Sequence, residues 1–277
     1  MKRSLMKRSV PFFILVLLAL LSCSAGLAEQ LWSIDSNAAY LAARFQPPSP
    51  RHVFGTDELG RDIFIRLLYG GQVSLGVGLT AALVSAFIGT SVGMVSGYAG
   101  GKTDALLMRL TDILIALPLL PLLIILSAVD VTKLGFHASG DISLYKMVLL
   151  ISLTGWTTVA RLARARTLAL KQADFVLAAR ALGVGTLRII LRHIFPNLLN
   201  TVVVATALLA GNVIMIESVL SFLGLGIQPP LPSWGNMLTN AEDHIWEHAA
   251  LTIYPGAMIF ITVLAFNFLG DGLQKNR

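Results

Sequence analysis

The sequence predicts an all-α, polytopic membrane protein with six transmembrane helices. Three observations lead there. Hydrophobic residues make up 55% of the 277-residue chain and charged residues only 13%, against about 25% charged in a soluble domain. Mean hydropathy is +0.75, an apolar excess too large for one soluble core. The apolar residues also gather into six runs, and Lys and Arg divide unevenly between the alternate segments joining them. With the N-terminus inside, fifteen of the 21 Lys and Arg fall on the inner side and both termini are cytoplasmic. The single cysteine, Cys23, rules out an internal disulfide and a cysteine-built metal site.

The first run, 10–27, follows a basic start of Lys2, Arg3, Lys7 and Arg8. A signal peptide cleaved near Gly26-Leu27-Ala28 is one reading. An uncleaved anchor is preferred, because further spans follow; segment 1–28 is assigned to it. Segment 29–70 reads as a polar outer loop and 71–271 as the membrane core. Within that core the second span covers 73–97. Gly89, Gly93 and Gly97 recur on one helix face, a spacing that allows close helix packing.

The stretch Gly97-Tyr98-Ala99-Gly100-Gly101-Lys102-Thr103 resembles a phosphate-binding loop, but Ser96 stands where the motif needs its first Gly. ATP binding there is rejected. Asp104 and Arg109 read as loop and helix-start charges. The third span, 106–129, carries Asp112 and should break at Pro118 and Pro121. A loop over 131–145 follows. The apolar run 146–160 would rise only ~22 Å at ~1.5 Å per residue, so the fourth span is placed at 142–163, with Lys146 and Arg161 reaching the interfaces.

Next comes an elbow over 172–197. Asp174 can cap a short helix that puts Phe175, Ala178, Ala179 and Leu182 on one face. Gly183 suits its left-handed close. Thr186 can cap a second helix through His193, and Pro196 stops that helix or opens the next. The result is an exposed stripe of small and aromatic residues beside Arg180. It could lie on lipid; a DNA-reading role fails, because short tethers to the bilayer leave no room for a duplex.

The fifth span, 198–223, holds Glu217 beside Ser218 and Ser221. A carboxylate at that depth must face protein or water, so it is either a structural hydrogen-bonding group or part of a translocation path or gate. Pro229, Pro230 and Pro232 stiffen the following outer loop, and Trp246 and Tyr254 suit a membrane interface. The sixth span is 250–269, followed by the tail 272–277. His137, His193, His244 and His248 form no convincing ligand set; the last two read as a solvated pair.

Three strings carry a family resemblance. A-A-R-A-L-G, with Pro196 and Asn197 beyond it, resembles the cytoplasmic loop of ABC-importer permeases. G-T-D-E-L-G-R-D, containing Gly55, Thr56, Asp57, Gly60, Arg61 and Asp62, resembles the dipeptide, oligopeptide and nickel branch. So do E-S-V-L-S-F-L-G-L-G-I-Q-P-P-L-P-S-W-G and Leu177, where the wider family has Glu.

The resemblance implies a type I ABC-importer permease fold in the bacterial cytoplasmic (inner) membrane. It implies a heterodimer with a second homologous permease, two ATP-binding subunits inside and a solute-binding protein outside. Asp174, Phe175, Ala178, Ala179, Arg180, Gly183 and Pro196 would form the ATPase-coupling surface. It implies no catalytic residues, cofactor, metal site or nucleic acid, and a cargo of di- or oligopeptides or nickel. An ion-coupled secondary transporter and a non-transporting scaffold are the other two readings.

Overall fold

The computed structural model describes residues 2–32, 35–129, 142–239 and 241–274. Among these the chain is helical, with one isolated bridge, Thr56 to Asp62, in an outer loop. The helices are α1 Lys2–Cys23, α2 Ala25–Trp32, α3 Ile63–Ala99, α4 Gly101–Ala116, α5 Leu119–Ser127, α6 Ile142–Lys171, α7 Asp174–Ala181, α8 Thr186–Ile189, α9 Phe195–Phe222 and α10 Ala250–Gln274. Four stretches are long and apolar enough to cross a bilayer, and two bent pairs, α1 with α2 and α4 with α5, bring the number to six if each pair is one span.

α3 is the axis of the bundle. It packs most extensively on α6, then on α9 and α1, while α10 closes the far side against α9 and α1. It begins at Ile63, well before the predicted 73, because Asp62 caps it: Asp62 Oδ1 accepts the Ile65 N–H at 2.9 Å. The glycine stripe then sets its contact with α6. A Cβ at Gly89 would lie 2.5 Å from Trp156 O, at Gly93 2.4 Å from Ala160 O and at Gly97 2.9 Å from Arg164 O. The two helices therefore touch backbone to backbone. They run in the same direction, as second and fourth spans of an alternating topology must.

The α4–α5 pair bends by 86° at Leu117 and Pro118. Leu117 is extended, with ψ 136, the conformation a following proline imposes. Pro121 falls in the first turn of α5, where its missing N–H leaves no bond unmade. α6 runs to Lys171, beyond the predicted 163. α8 and α9 form one continuous stretch, Thr186–Phe222. α10 continues to Gln274, into the predicted tail. His137 and most of the predicted 131–145 loop lie outside the described residues.

The core joins Leu67, Leu75 and Ala81 of α3 to Ile151 of α6, Val213 and Ile214 of α9, and Phe266 of α10. Ile227 and Trp234 of the outer loop complete it. Large apolar side chains such as Leu83, Phe87, Leu149 and Phe260 stand exposed on the outside. That surface suits a hydrocarbon surrounding rather than water.

Candidate functional site

The elbow keeps its predicted shape with altered details. α7 spans Asp174–Ala181 and its cap is Ala173; Asp174 falls in the first turn, where its charge favours the helix dipole without a capping bond. Gly183 has φ +73. Its N–H donates to Arg180 O at 3.0 Å and the Val184 N–H donates to Ala179 O at 3.1 Å, the paired bonds of a Schellman close. Gly185, not Thr186, occupies the cap position of α8.

Pro196 does not stop the second helix; it stands in the first turn of α9, the other placement expected of it. The ladder widens over Ile190–Ile194, where the Phe195 N–H reaches Ile190 O. One wide turn accommodates the proline's missing donor and carries the chain straight into α9. Asn197 Nδ2 donates to His193 O at 2.7 Å, binding a carbonyl of this turn.

The predicted stripe splits. Ala179 is buried with Val176, Ile189, Ile194 and Leu170 in an inner cluster, so it is not on the outward face. Phe175, Ala178, Leu182 and Gly183 are exposed, with Leu177 and Leu187 beside them. Leu187 escaped the sequence reading: in a four-residue helix no periodicity identifies the outward face. Arg180 is exposed, yet its guanidinium lies over the Tyr98 ring at 5.7 Å.

Above the elbow, Asp104 joins α4 to α6 by accepting from Arg164 Nε and from its second guanidinium nitrogen, each at 2.5 Å. Helices flank the phosphate-loop look-alike on both sides. Its Gly100 and Gly101, at φ +68 and +55, make the turn between α3 and α4.

At the other end of α3, before its first residue, the G-T-D-E-L-G-R-D string wires a compact knob. Asp57 Oδ1 accepts from the Leu59 and Arg61 N–H groups at 2.9 Å each, and Oδ2 accepts from Arg61 Nε at 2.7 Å. Thr56 Oγ1 accepts from Gln46 N–H at 2.8 Å and donates to Ala43 O. Asp62 caps α3 and holds His52 Nδ1 at 2.9 Å. Arg66, buried at the start of α3, donates to Ser36 O at 3.1 Å.

Gly55 and Gly60 have φ +79 and +74, and a Cβ on them would meet Gln46 O at 2.4 Å and Tyr40 O at 1.9 Å. Gly60→Ala should therefore loosen the knob by more than the ~1–2 kcal/mol of left-handed strain alone. Trypsin should then cut purified protein after the exposed Arg44 and Arg51 at least tenfold faster than in wild type.

Glu217 is fully buried. Ser74 Oγ donates to its Oε2 at 3.1 Å and Ser221 Oγ donates to its Oε1 at 2.7 Å. Each serine oxygen in turn accepts an outer-loop N–H: Trp234 to Ser74 at 3.1 Å, and Ile227 to Ser221 at 3.0 Å. Two parallel relays thus pin the loop after α9 to one carboxylate. Ser218 Oγ donates back to Ile214 O at 2.8 Å.

The open grooves beside α3 are lined by other residues, among them Gln72, Thr80 and Ser152 on the α6 side and Thr90 and Thr206 on the α9 side. The loop, expected to be a stiff external strap, folds inward. Trp234 is fully buried and its Nε1–H donates to Leu67 O at 2.9 Å. The pair Gly70 and Gly71 makes room for it: a Cβ on either would approach Trp234 to 3.2 or 3.0 Å.

His244 and His248 are not a free solvated pair. The His248 ring stacks on Phe45 at 4.2 Å and His244 meets the same ring edge-on at 4.9 Å. Tyr254, expected at the membrane interface, stacks on Phe54 of the knob at 4.5 Å. Trp246 is exposed. Among the described residues no group of three His, Cys, Asp or Glu could hold a metal.

A helical bundle of up to six spans, with an elbow carried on one end, is the architecture of a type I ABC-importer permease. A solved amino acid ABC transporter with histidines superposes with TM-score 0.52 at 16% identity, covering 74% of this chain and 90% of that one. The chain belongs to the family of binding-protein-dependent transport system inner membrane components, whose pattern matches residues 89–276.

Oligopeptide transport system permease protein OppC of Bacillus subtilis (strain 168) is 36% identical over 94% of this chain and 82% of its own length. Dipeptide transport system permease protein DppC of the same organism is 40% identical over 82% of this chain and 68% of its own length. The chain is thus a transport permease component and not an enzyme.

Proposed function

We propose that this chain forms half of the translocation pathway of an ATP-driven importer of peptides in a bacterial inner membrane. A second related permease would complete the pathway, and an outer solute-binding protein would deliver the cargo. The relatives' names support peptides over nickel. The distribution of Lys and Arg supports cytoplasmic termini and an inward-facing elbow. Two ATPase subunits would sit beneath the pair, this chain's elbow in one of them.

The observation that carries the reading is the elbow itself. Exposed Phe175, Leu177, Ala178, Leu182 and Leu187 cover a rigid inner cluster, on a helix closed by Gly183. Small residues let a partner approach closely, and Phe175 and Leu182 supply apolar anchors. Ion-coupled transport is disfavoured by Glu217, the acid at membrane depth, because both its oxygens are committed to serines.

Gly183 tests the docking. A Cβ there meets nothing within 4 Å, so a larger side chain leaves the chain's own packing intact. Gly183→Trp should cut ATP-driven peptide uptake by reconstituted complex at least tenfold while ATP hydrolysis continues uncoupled. Gly183→Asn, which tolerates the left-handed conformation, should stay within about threefold of wild type. Normal uptake by the Trp variant would remove the reading.

A further inference from the structure

We propose that Tyr98 is the positioning residue through which movement of the elbow reaches α3. This rests on the reading that the elbow meets an ATPase. Tyr98 is the second-last residue of α3 and packs against the inner cluster of Leu170, Val176, Ala179, Ile189 and Ile194. Two cations from either side of the elbow's first bend converge on it. Lys171, the last residue of α6, donates through Nζ to Tyr98 O at 2.7 Å and lies 5.5 Å from the ring centroid. Arg180 of α7 holds its guanidinium 5.7 Å from the same centroid.

The elbow is joined covalently to α6 and α9; α3 is not continuous with it and meets it at Tyr98, through the ring and through the carbonyl that Lys171 binds. The ring therefore ties the elbow to the helix at the centre of the bundle. Aromatic faces attract cations by their quadrupole, an attraction an aliphatic side chain of similar bulk lacks. Arg180, counted from sequence as a coupling residue, accordingly acts inward on Tyr98.

What α3 does with the movement follows from its other contacts. It is fused to α6 along Gly89, Gly93 and Gly97. Farther out, Ser74 holds Glu217 and the Trp234 N–H, and Leu67 O holds the Trp234 indole. Displacement at Tyr98 thus reaches the helix that fastens the outer loop.

The test uses the full complex in proteoliposomes, with Cys23→Ser and Gly76→Cys as background. Gly76 lies on α3 facing a groove, and a Cβ there meets nothing within 4 Å. Labelling of this cysteine by a membrane-impermeant maleimide reports α3 with and without ATP and vanadate. Trapping should change the rate several-fold in the background and in Tyr98→Phe, which keeps the ring. In Tyr98→Leu the change should vanish while the ATPases stay bound and still trap vanadate.

An undiminished change in Tyr98→Leu overturns the proposal alone, leaving the coupling reading in place. Loss of the ATPases from Tyr98→Leu also overturns it, since the ring would then only prop the elbow. No nucleotide effect in the background itself removes the coupling reading and this proposal together.

Discussion

Gly93→Val should separate α6 from α3 and destabilise the chain strongly. The added Cβ would sit 2.4 Å from Ala160 O, 2.6 Å from Ala163 Cβ and 2.8 Å from Arg164 N. Two of these are backbone atoms, which no rotamer change can move. The helices must part along their whole seam, because Gly89 and Gly97 meet α6 in the same way on either side. Overpacking usually destabilises by ~1–3 kcal/mol, and this case belongs at or beyond the upper end.

Separation also breaks contacts that depend on the close approach, such as Ser152 Oγ to Ala81 O at 3.3 Å. Gly76→Val is the control on the same helix, because open space surrounds that position. Thermal aggregation of detergent-purified chain should shift strongly for Gly93→Val and hardly for Gly76→Val. Equal shifts would mean that the glycine stripe does not set the α3–α6 seam.

Glu217→Ala should release the outer loop. The substitution removes the acceptor of both Ser74 and Ser221, whose oxygens hold the Trp234 and Ile227 N–H groups. Losing two bonds to a buried acid group destabilises by roughly 2–4 kcal/mol. Amide exchange over 224–239 should therefore accelerate by about one and a half to three orders of magnitude. Glu217→Gln keeps one carbonyl acceptor, and its amide can donate to the other serine oxygen, so it should accelerate exchange by about tenfold or less. Hydrogen exchange with mass spectrometry on the purified chain reads both. Unchanged exchange in the Ala variant would show that Trp234 packing alone secures the loop.

Much of the bundle was legible because its signals are local. Glycines at every fourth position marked the α3–α6 seam, Pro118 marked the bend between α4 and α5, and Gly183 marked the close of α7. Each depends on a residue's own steric limits within one or two helical turns. Two features were not legible. Ala178 and Ala179 are chemically identical, and which faces inward is decided by packing against Leu170, Ile189 and Ile194, which come together only once the elbow has folded. The outer loop looked like a stiff strap because its prolines are visible and its socket is not: Gly70, Gly71 and Leu67 lie on another helix.

Pro196, read as a stop or a start, was legible in part: it stands in the first turn of α9, the second of those readings. Proline removes one donor but does not dictate how the neighbouring turn responds, and here the ladder widens instead of breaking. The G-T-D-E-L-G-R-D string was recognisable as a pattern, yet its purpose emerged only with coordinates. Each of its polar side chains bonds to the knob or to the start of α3, so the pattern encodes a self-bracing cap on that end of the helix.

α3 runs unbroken for 37 residues, a rod of about 55 Å at ~1.5 Å per residue, while the hydrocarbon layer is only ~30 Å thick. It contains no proline, unlike the hinged α4–α5 pair. A stiff mast of this length magnifies small tilts: pivoting by about 5° around one tip swings the other by roughly 5 Å. Displacement at its Tyr98 end can therefore unsettle the tryptophan pinned near the other without any intervening helix changing shape.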